Sequence, residues 1–171
     1  MRSQGTNTII SILFFVFGGP AILLVYLPYW LTGFRIPANE PRWEEWMAWV
    51  LIAAGVAPLL ESAVRFVRVG KGTLVPTNAT EHLVVSGLYR YVRNPMYVGV
   101  ATCLAAEAIL FGSADVLVEL VLALIGVHLF VCFYEEPTLM KRYGMEYDEF
   151  KRNVPRWLPR FTPWAGGWNG G

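Results

Sequence analysis

The sequence predicts an all-α integral membrane protein: a bundle of four transmembrane helices with a C-terminal amphipathic helix on the membrane surface. Three observations carry this. Of 171 residues, 55% are hydrophobic and only 16% charged, whereas soluble domains carry about 25% charged residues. The apolar residues gather into runs close to the ~20 residues that a bilayer-spanning helix needs. The charged residues gather between those runs, with basic groups on one side. The length suits a single membrane domain, 1–171. A net charge of +1 gives no electrostatic case for nucleic acid.

The first span is TIISILFFVFGGPAILLVYLPYWL, residues 8–31, with Gly18, Gly19 and Pro20 near its middle, where a kink is expected. The run exceeds the ~7–15 residues of a signal-peptide core, so it reads as a retained helix. Pro28, Tyr29 and Trp30 mark its far interface, as aromatic belts do. A polar loop over 32–45 carries Arg35, Glu40, Arg42, Glu44 and Glu45. Trp43, Trp46 and Trp49 then anchor the second span, 46–66, where Glu61 and Arg65 stand four apart as a local ion pair.

Residues 69–94 form a long polar connection, the kind that is usually functional or disordered. Asn78-Ala79-Thr80 matches the glycosylation pattern but falls on the cytoplasmic side, and His82 reads as a surface residue. Pro95 opens the third span, 95–112, since proline is favoured in a first helical turn. Gly112 to Asp115 make a tight turn, and the fourth span, 116–134, returns antiparallel. With four spans both termini share a side. Twelve of the 14 Lys and Arg residues then fall on one face, leaving Arg35 and Arg42 opposite. The positive-inside rule makes the rich face cytoplasmic, with a bacterial inner membrane as the expected location. After Glu136, Pro137 restarts the chain, and Leu139, Tyr143, Tyr147, Phe150 and Val154 recur at helical spacing among charged residues. This is the surface helix, succeeded by VPRWLPR and a flexible GGWNGG tail. That helix reads either as a membrane anchor or as a lid over the hairpin end, and the return through VPRWLPR favours the lid.

The hairpin brings two polar stretches to one depth. Counting outward from residue 114 at equal rise per residue, Arg93 lies level with Glu135 and Asn94 with Tyr134. His128 stands seven residues before Glu135, on the same face, with Cys132 between them. Glu107, deep in the third span, should face the bundle or a wet cavity, and Glu119 the outer interface. Cys103 and Cys132 lie in apolar runs and read as small buried residues. No metal-ligand spacing, Walker loop, GxGxxG or nucleophile elbow occurs, so no metal is expected. What remains is carboxylates, arginines and aromatic faces beside lipid. Carboxylates suit ribose hydroxyls or an ammonium, aromatic faces suit adenine or a sulfonium, and arginine suits a carboxylate. That inventory fits a zwitterionic, nucleotide-like cofactor beside a lipid-borne substrate, without choosing the cofactor.

GLYRYVRNPMYVG, together with YEEPTLMKRYGMEYDEFKRNVPRWLPR, resembles the isoprenylcysteine carboxyl methyltransferase family and the related phospholipid N-methyltransferases over residues 72–160. The resemblance implies a membrane methyltransferase using S-adenosylmethionine, held between the cytoplasmic segments 72–94 and 135–160. The family's Arg-His-Pro-x-Tyr motif falls on Arg93, Asn94, Pro95, Met96 and Tyr97, so asparagine stands where the family has histidine. Asparagine still donates and accepts hydrogen bonds but cannot serve as a base. By resemblance, Tyr89, Asn94, Tyr97, Glu135 and Glu136 would contact the cofactor, with His128 a further candidate near them. Arg93, Arg152 and Arg156 would orient an acceptor carboxylate, and Glu107 would face the substrate. Methyl transfer would be a direct displacement onto a lipophilic acceptor. A carboxylate, already ionised, is the favoured acceptor because bases are scarce; phosphatidylethanolamine or a thiol is the alternative. A nicotinamide-dependent membrane reductase and a non-enzymatic scaffold are the rival readings.

Overall fold

In the computed structural model, residues 18–37, 43–68, 83 and 85–166 are described. They contain helices and turns and no β-strand. Among the described residues two helices are long and apolar enough to cross a membrane, and two more are apolar but shorter. We number them in chain order.

Helix α1, Gly19–Thr32, begins at Gly18, whose backbone is non-helical. At the glycines where a kink is expected, Pro20 lies in the first turn of this helix, where its missing N–H is harmless. A π turn spans Ile22–Tyr26, and Gly33 ends the helix in the left-handed conformation. The part of the expected span before residue 18 lies outside the described residues, as do Asn78, His82 and most of the 69–84 connection.

Helix α2, Trp43–Arg68, runs 26 residues without interruption. Helix α3, Pro95–Phe111, packs on it more extensively than any other pair of elements does. The seam is built from small residues. A Cβ on Gly99 would lie 2.6 Å from the Gly55 carbonyl oxygen, and one on Gly55 would lie 2.8 Å from that of Gly99. Such close backbone approach is how helices pack where lipid removes the hydrophobic drive between them. Cys103, Ala106 and Leu110 continue the seam, buried.

Gly112, left-handed, and Ser113 turn the chain. The Ser113 hydroxyl caps the next helix by accepting from the Val116 N–H. Helix α4 then runs Ala114–Tyr143. Exposed Leu117, Val118, Val121 and Leu122 line its outside, an apolar surface suited to acyl chains.

Two features differ from the sequence reading. Pro137 does not restart the chain. A π turn over Val131–Glu135 adds a residue to α4, and Pro137 sits in the first turn of the resumed α pitch. The amphipathic pattern is also broken at Gly144, which has a positive φ of 54°. Beyond Gly144 the chain forms a separate short helix, α5, Met145–Asn153. Its Tyr147 and Phe150 pack with Val154 and Trp164 against Leu83, Val85, Leu139, Met140 and Tyr143. The surface helix is thus the cover of a small separate core at one end of the hairpin.

Candidate functional site

The 86–94 loop, the π turn of α4 and the segment after α5 converge at that end. The loop contains a 3₁₀ turn, Gly87–Arg90. Main-chain bonds stitch it to the C-terminal segment. The Arg93 N–H donates to the Pro155 carbonyl, that of Arg160 to Tyr91, and that of Trp164 to Arg90, each at 2.9 Å. Side chains add to the seam: Arg90 Nε donates to the Trp164 carbonyl at 2.7 Å and Asn94 Nδ2 to that of Arg156 at 3.2 Å. On the other side, the Leu88 N–H donates to Glu61 Oε2 at 3.4 Å. Glu61 was expected to pair with Arg65, whose side chain lies outside the described residues.

Glu136 is the hub. Only 6% exposed, it accepts from Arg93 Nη1 at 2.7 Å and, in a two-point clasp, from Arg156 Nε and Nη2 at 2.7 and 2.9 Å. Lys151 Nζ lies 3.9 Å away. The Glu136 hydrogen bond holds the Arg156 guanidinium charged, raising its pKa above the ordinary arginine value. Tyr147, buried beneath this cluster, has its phenol pushed up to about 12, first by burial and then by the Glu136 charge.

Glu135 behaves differently. It accepts a 3.2 Å hydrogen bond from the Tyr97 hydroxyl and has no cation partner among the described residues. The Arg93 Nε–H is buried with no hydrogen-bond partner among them. The site therefore offers one carboxylate and one guanidinium N–H without strong partners.

The π turn explains the pairing. Arg93 meets Glu136 rather than Glu135, one residue from the expected register, because the wider turn holds an extra residue. Both glutamates are thereby turned toward α3. π turns inside helices are frequent at functional sites.

Beside this cluster, α1, α3 and α4 enclose a cavity of about 920 Å³. Its lining is apolar apart from Tyr97, Thr102, His128 and Trp157. The cavity thus meets the carboxylates at Tyr97.

The structure brings Tyr89, Arg93, Asn94, Tyr97, Glu135, Glu136 and Arg156 to one end of the hairpin. Tyr89 is buried there. It does not bring Arg152, whose side chain is 77% exposed and pairs with Asp148 at 2.6 Å. The basic group of α5 that lies near Glu136 is Lys151, one position earlier. Glu107 does not line the cavity. Its Oε2 and both oxygens of Glu119 are buried without hydrogen-bond partners among the described residues. Glu119 is buried, not at an outer interface. His128 lies against Cys132 and Trp157. Sequence reasoning did not find Trp157 and Tyr147 as site residues. Their signals were present: a tryptophan between two prolines, and a tyrosine at a core position of the amphipathic pattern.

Among the described residues no group of three His, Cys, Asp or Glu side chains could hold a metal. The family model described as phospholipid methyltransferase matches residues 43–146. No curated protein and no solved structure matches the chain significantly.

Proposed function

We propose that this chain, which belongs to the phospholipid methyltransferase family, is an S-adenosylmethionine-dependent enzyme that methylates a lipophilic acceptor held between α1, α3 and α4. Its family is one of membrane methyltransferases, which argues against the reductase and scaffold readings. The observation that carries the proposal is Tyr97. Tyr97 lines the apolar cavity while its hydroxyl bonds Glu135, so a lipid-sized space and a carboxylate with no cation partner among the described residues share one wall.

The residues present fit the donor. A zwitterionic amino acid with a sulfonium needs an anion near its cationic centres and an N–H for its carboxylate. Glu135 and Arg93 Nε offer these. Tyr89, Asn94, Tyr97 and Glu135 would hold it, with Glu136 fixing Arg93 and Arg156 in position. Bound there, S-adenosylmethionine supplies an electrophilic methyl group and leaves as a neutral thioether. The chain's own work is alignment and exclusion of water.

The acceptor better supported is the amine of a phospholipid headgroup. A carboxylate acceptor calls for a free guanidinium, yet Glu136 occupies Arg93 Nη1 and Arg156, and Asp148 holds Arg152. An amine acceptor needs no such guanidinium, and the family the chain belongs to is one of phospholipid methyltransferases. The four-span arrangement of domain 1–171, with both termini and the site cytoplasmic, rests on the charge asymmetry of the sequence.

The test is methyl transfer by purified protein in nanodiscs, from a radiolabelled donor, with phosphatidylethanolamine and a farnesylcysteine supplied separately. Label in N-methylated phospholipid is the expected result. Label only in the prenyl ester would restore the carboxylate acceptor. Label in neither would overturn the reading.

A further inference from the structure

The state of His128 can be read from its neighbours. The indole N–H of Trp157 is a donor only, and it donates to His128 Nδ1 at 3.2 Å. Nδ1 therefore presents a lone pair, and the proton of the neutral ring sits on Nε2. Nε2 in turn lies 3.6 Å from Cys132 Sγ, a weak acceptor. An imidazolium would carry N–H groups on both nitrogens and would oppose the indole. A base acting through Nδ1 would first have to give up Trp157.

Both rings line the cavity, with centroids 6.0 Å apart. The other polar side chains of the lining are engaged. The Tyr97 hydroxyl donates to Glu135, and that of Thr102 to the Val98 carbonyl at 2.8 Å. His128 Nε2–H is thus the donor in this lining whose partner among the described residues is only a soft sulfur.

We propose that His128, held in its Nε2–H form by Trp157, donates a hydrogen bond to a headgroup oxygen of the lipid acceptor. His128 is then a substrate-binding residue, not a base or a cofactor ligand, and Trp157 is the positioning residue that acts through it. The oxygen is a phosphodiester oxygen of a phospholipid or the carboxylate oxygen of a prenyl acid; both are anionic and accept strongly. The position of Trp157 is set by the carboxylate cluster. Its neighbour Arg156 is clasped by Glu136, and the Arg156 carbonyl accepts from Asn94. Headgroup depth is thereby coupled to the order of the methyl-donor site. The inference rests on the methyltransferase reading for the identity of the ligand, but not for the state of the ring.

The chain has two histidines, so His82→Gln leaves one ring to observe. Nitrogen NMR of the full-length, histidine-labelled variant in detergent micelles should show protonated Nε2 and unprotonated Nδ1 at neutral pH. Trp157→Phe should convert this to an exchanging mixture. Added dioleoylphosphatidylethanolamine should move the Nε2 signal and hexadecane should not; farnesylcysteine, added separately, distinguishes the two oxygen sources. In steady state, His128→Phe should raise KM for the lipid by about tenfold, the worth of one hydrogen bond, with kcat nearly unchanged. His128→Gln, which keeps a donor at that position, should restore KM. A protonated Nδ1, an imidazolium, or an Nε2 signal unmoved by both oxygen-bearing lipids would overturn the proposal. So would a His128→Phe loss confined to kcat. Failure of the methyltransferase reading would appear separately, as absent methyl transfer by the wild type.

Discussion

Helix α3 has two faces built on opposite terms. Toward α2 it presents Gly99, Cys103 and Ala106, and the backbones approach until a single Cβ would not fit. Toward α4 it packs through Leu104 against Val116, and beside that contact Met96, Tyr97, Ala101 and Ala105 line a cavity of about 920 Å³. At the mouth of that cavity the gap is bridged by charge, through Arg93, Glu136 and Arg156. One face fixes the helix by removing side chains. The other keeps space open and closes only its end. A rigid seam on one side is what lets a functional gap persist on the other.

The bridge should be the most sensitive point. Glu136→Ala leaves Arg93 and Arg156 without their carboxylate, and breaking a buried ion pair in this way costs about 3–5 kcal/mol. We expect a lower thermal midpoint in detergent and early proteolysis of the segment after Asn153. The seam comes next. Gly99→Leu drives a side chain into the Gly55 carbonyl, and overpacking of this sort costs about 1–3 kcal/mol. Thermal unfolding should register the loss, and donor binding should fall only with the folded fraction. On the open face the expectation reverses. Ala105→Leu fills cavity space, so the midpoint should hold while the KM of the lipid acceptor rises. Equal destabilisation by Ala105→Leu and Gly99→Leu would erase the contrast between the faces. The smallest effect is expected at Arg152. Its pair with Asp148 is exposed, and such pairs contribute about 0–1 kcal/mol. Arg152→Ala should leave stability and methyl transfer nearly unchanged, and a large loss of transfer would return this arginine to the site.

Much of this layout is legible in the sequence. Gly112 and Ser113 mark a turn between two apolar runs, and a turn at a known position sets which residues of a hairpin stand level. That puts Arg93 beside the paired glutamates to within one residue. The residual error has a physical source. A π turn over Val-Cys-Phe-Tyr-Glu has no local sequence signature, and its extra residue decides which glutamate faces the arginine. Choosing between Arg152 and Arg156 is beyond the sequence for another reason. Both are basic and four residues apart, and only the main-chain seam to Tyr91 and Arg93 carries the chain from the exposed face of α5 back to Glu136. The Trp157–His128 contact joins residues 29 apart in sequence through that same seam. The lid over the hairpin end is written in the amphipathic spacing. Its break at Gly144 is not, because the apolar spacing continues across it.

The central claim is that Glu135, the glutamate without a cation, and the spare N–H of Arg93 receive the methyl donor. The direct measurement is calorimetric titration of S-adenosylmethionine into detergent-purified protein, wild type beside Glu135→Gln, with thermal unfolding run on both. Saturable binding to the wild type that is lost in the folded variant is the predicted result. Equal binding by both, or none by a folded wild type, would contradict it.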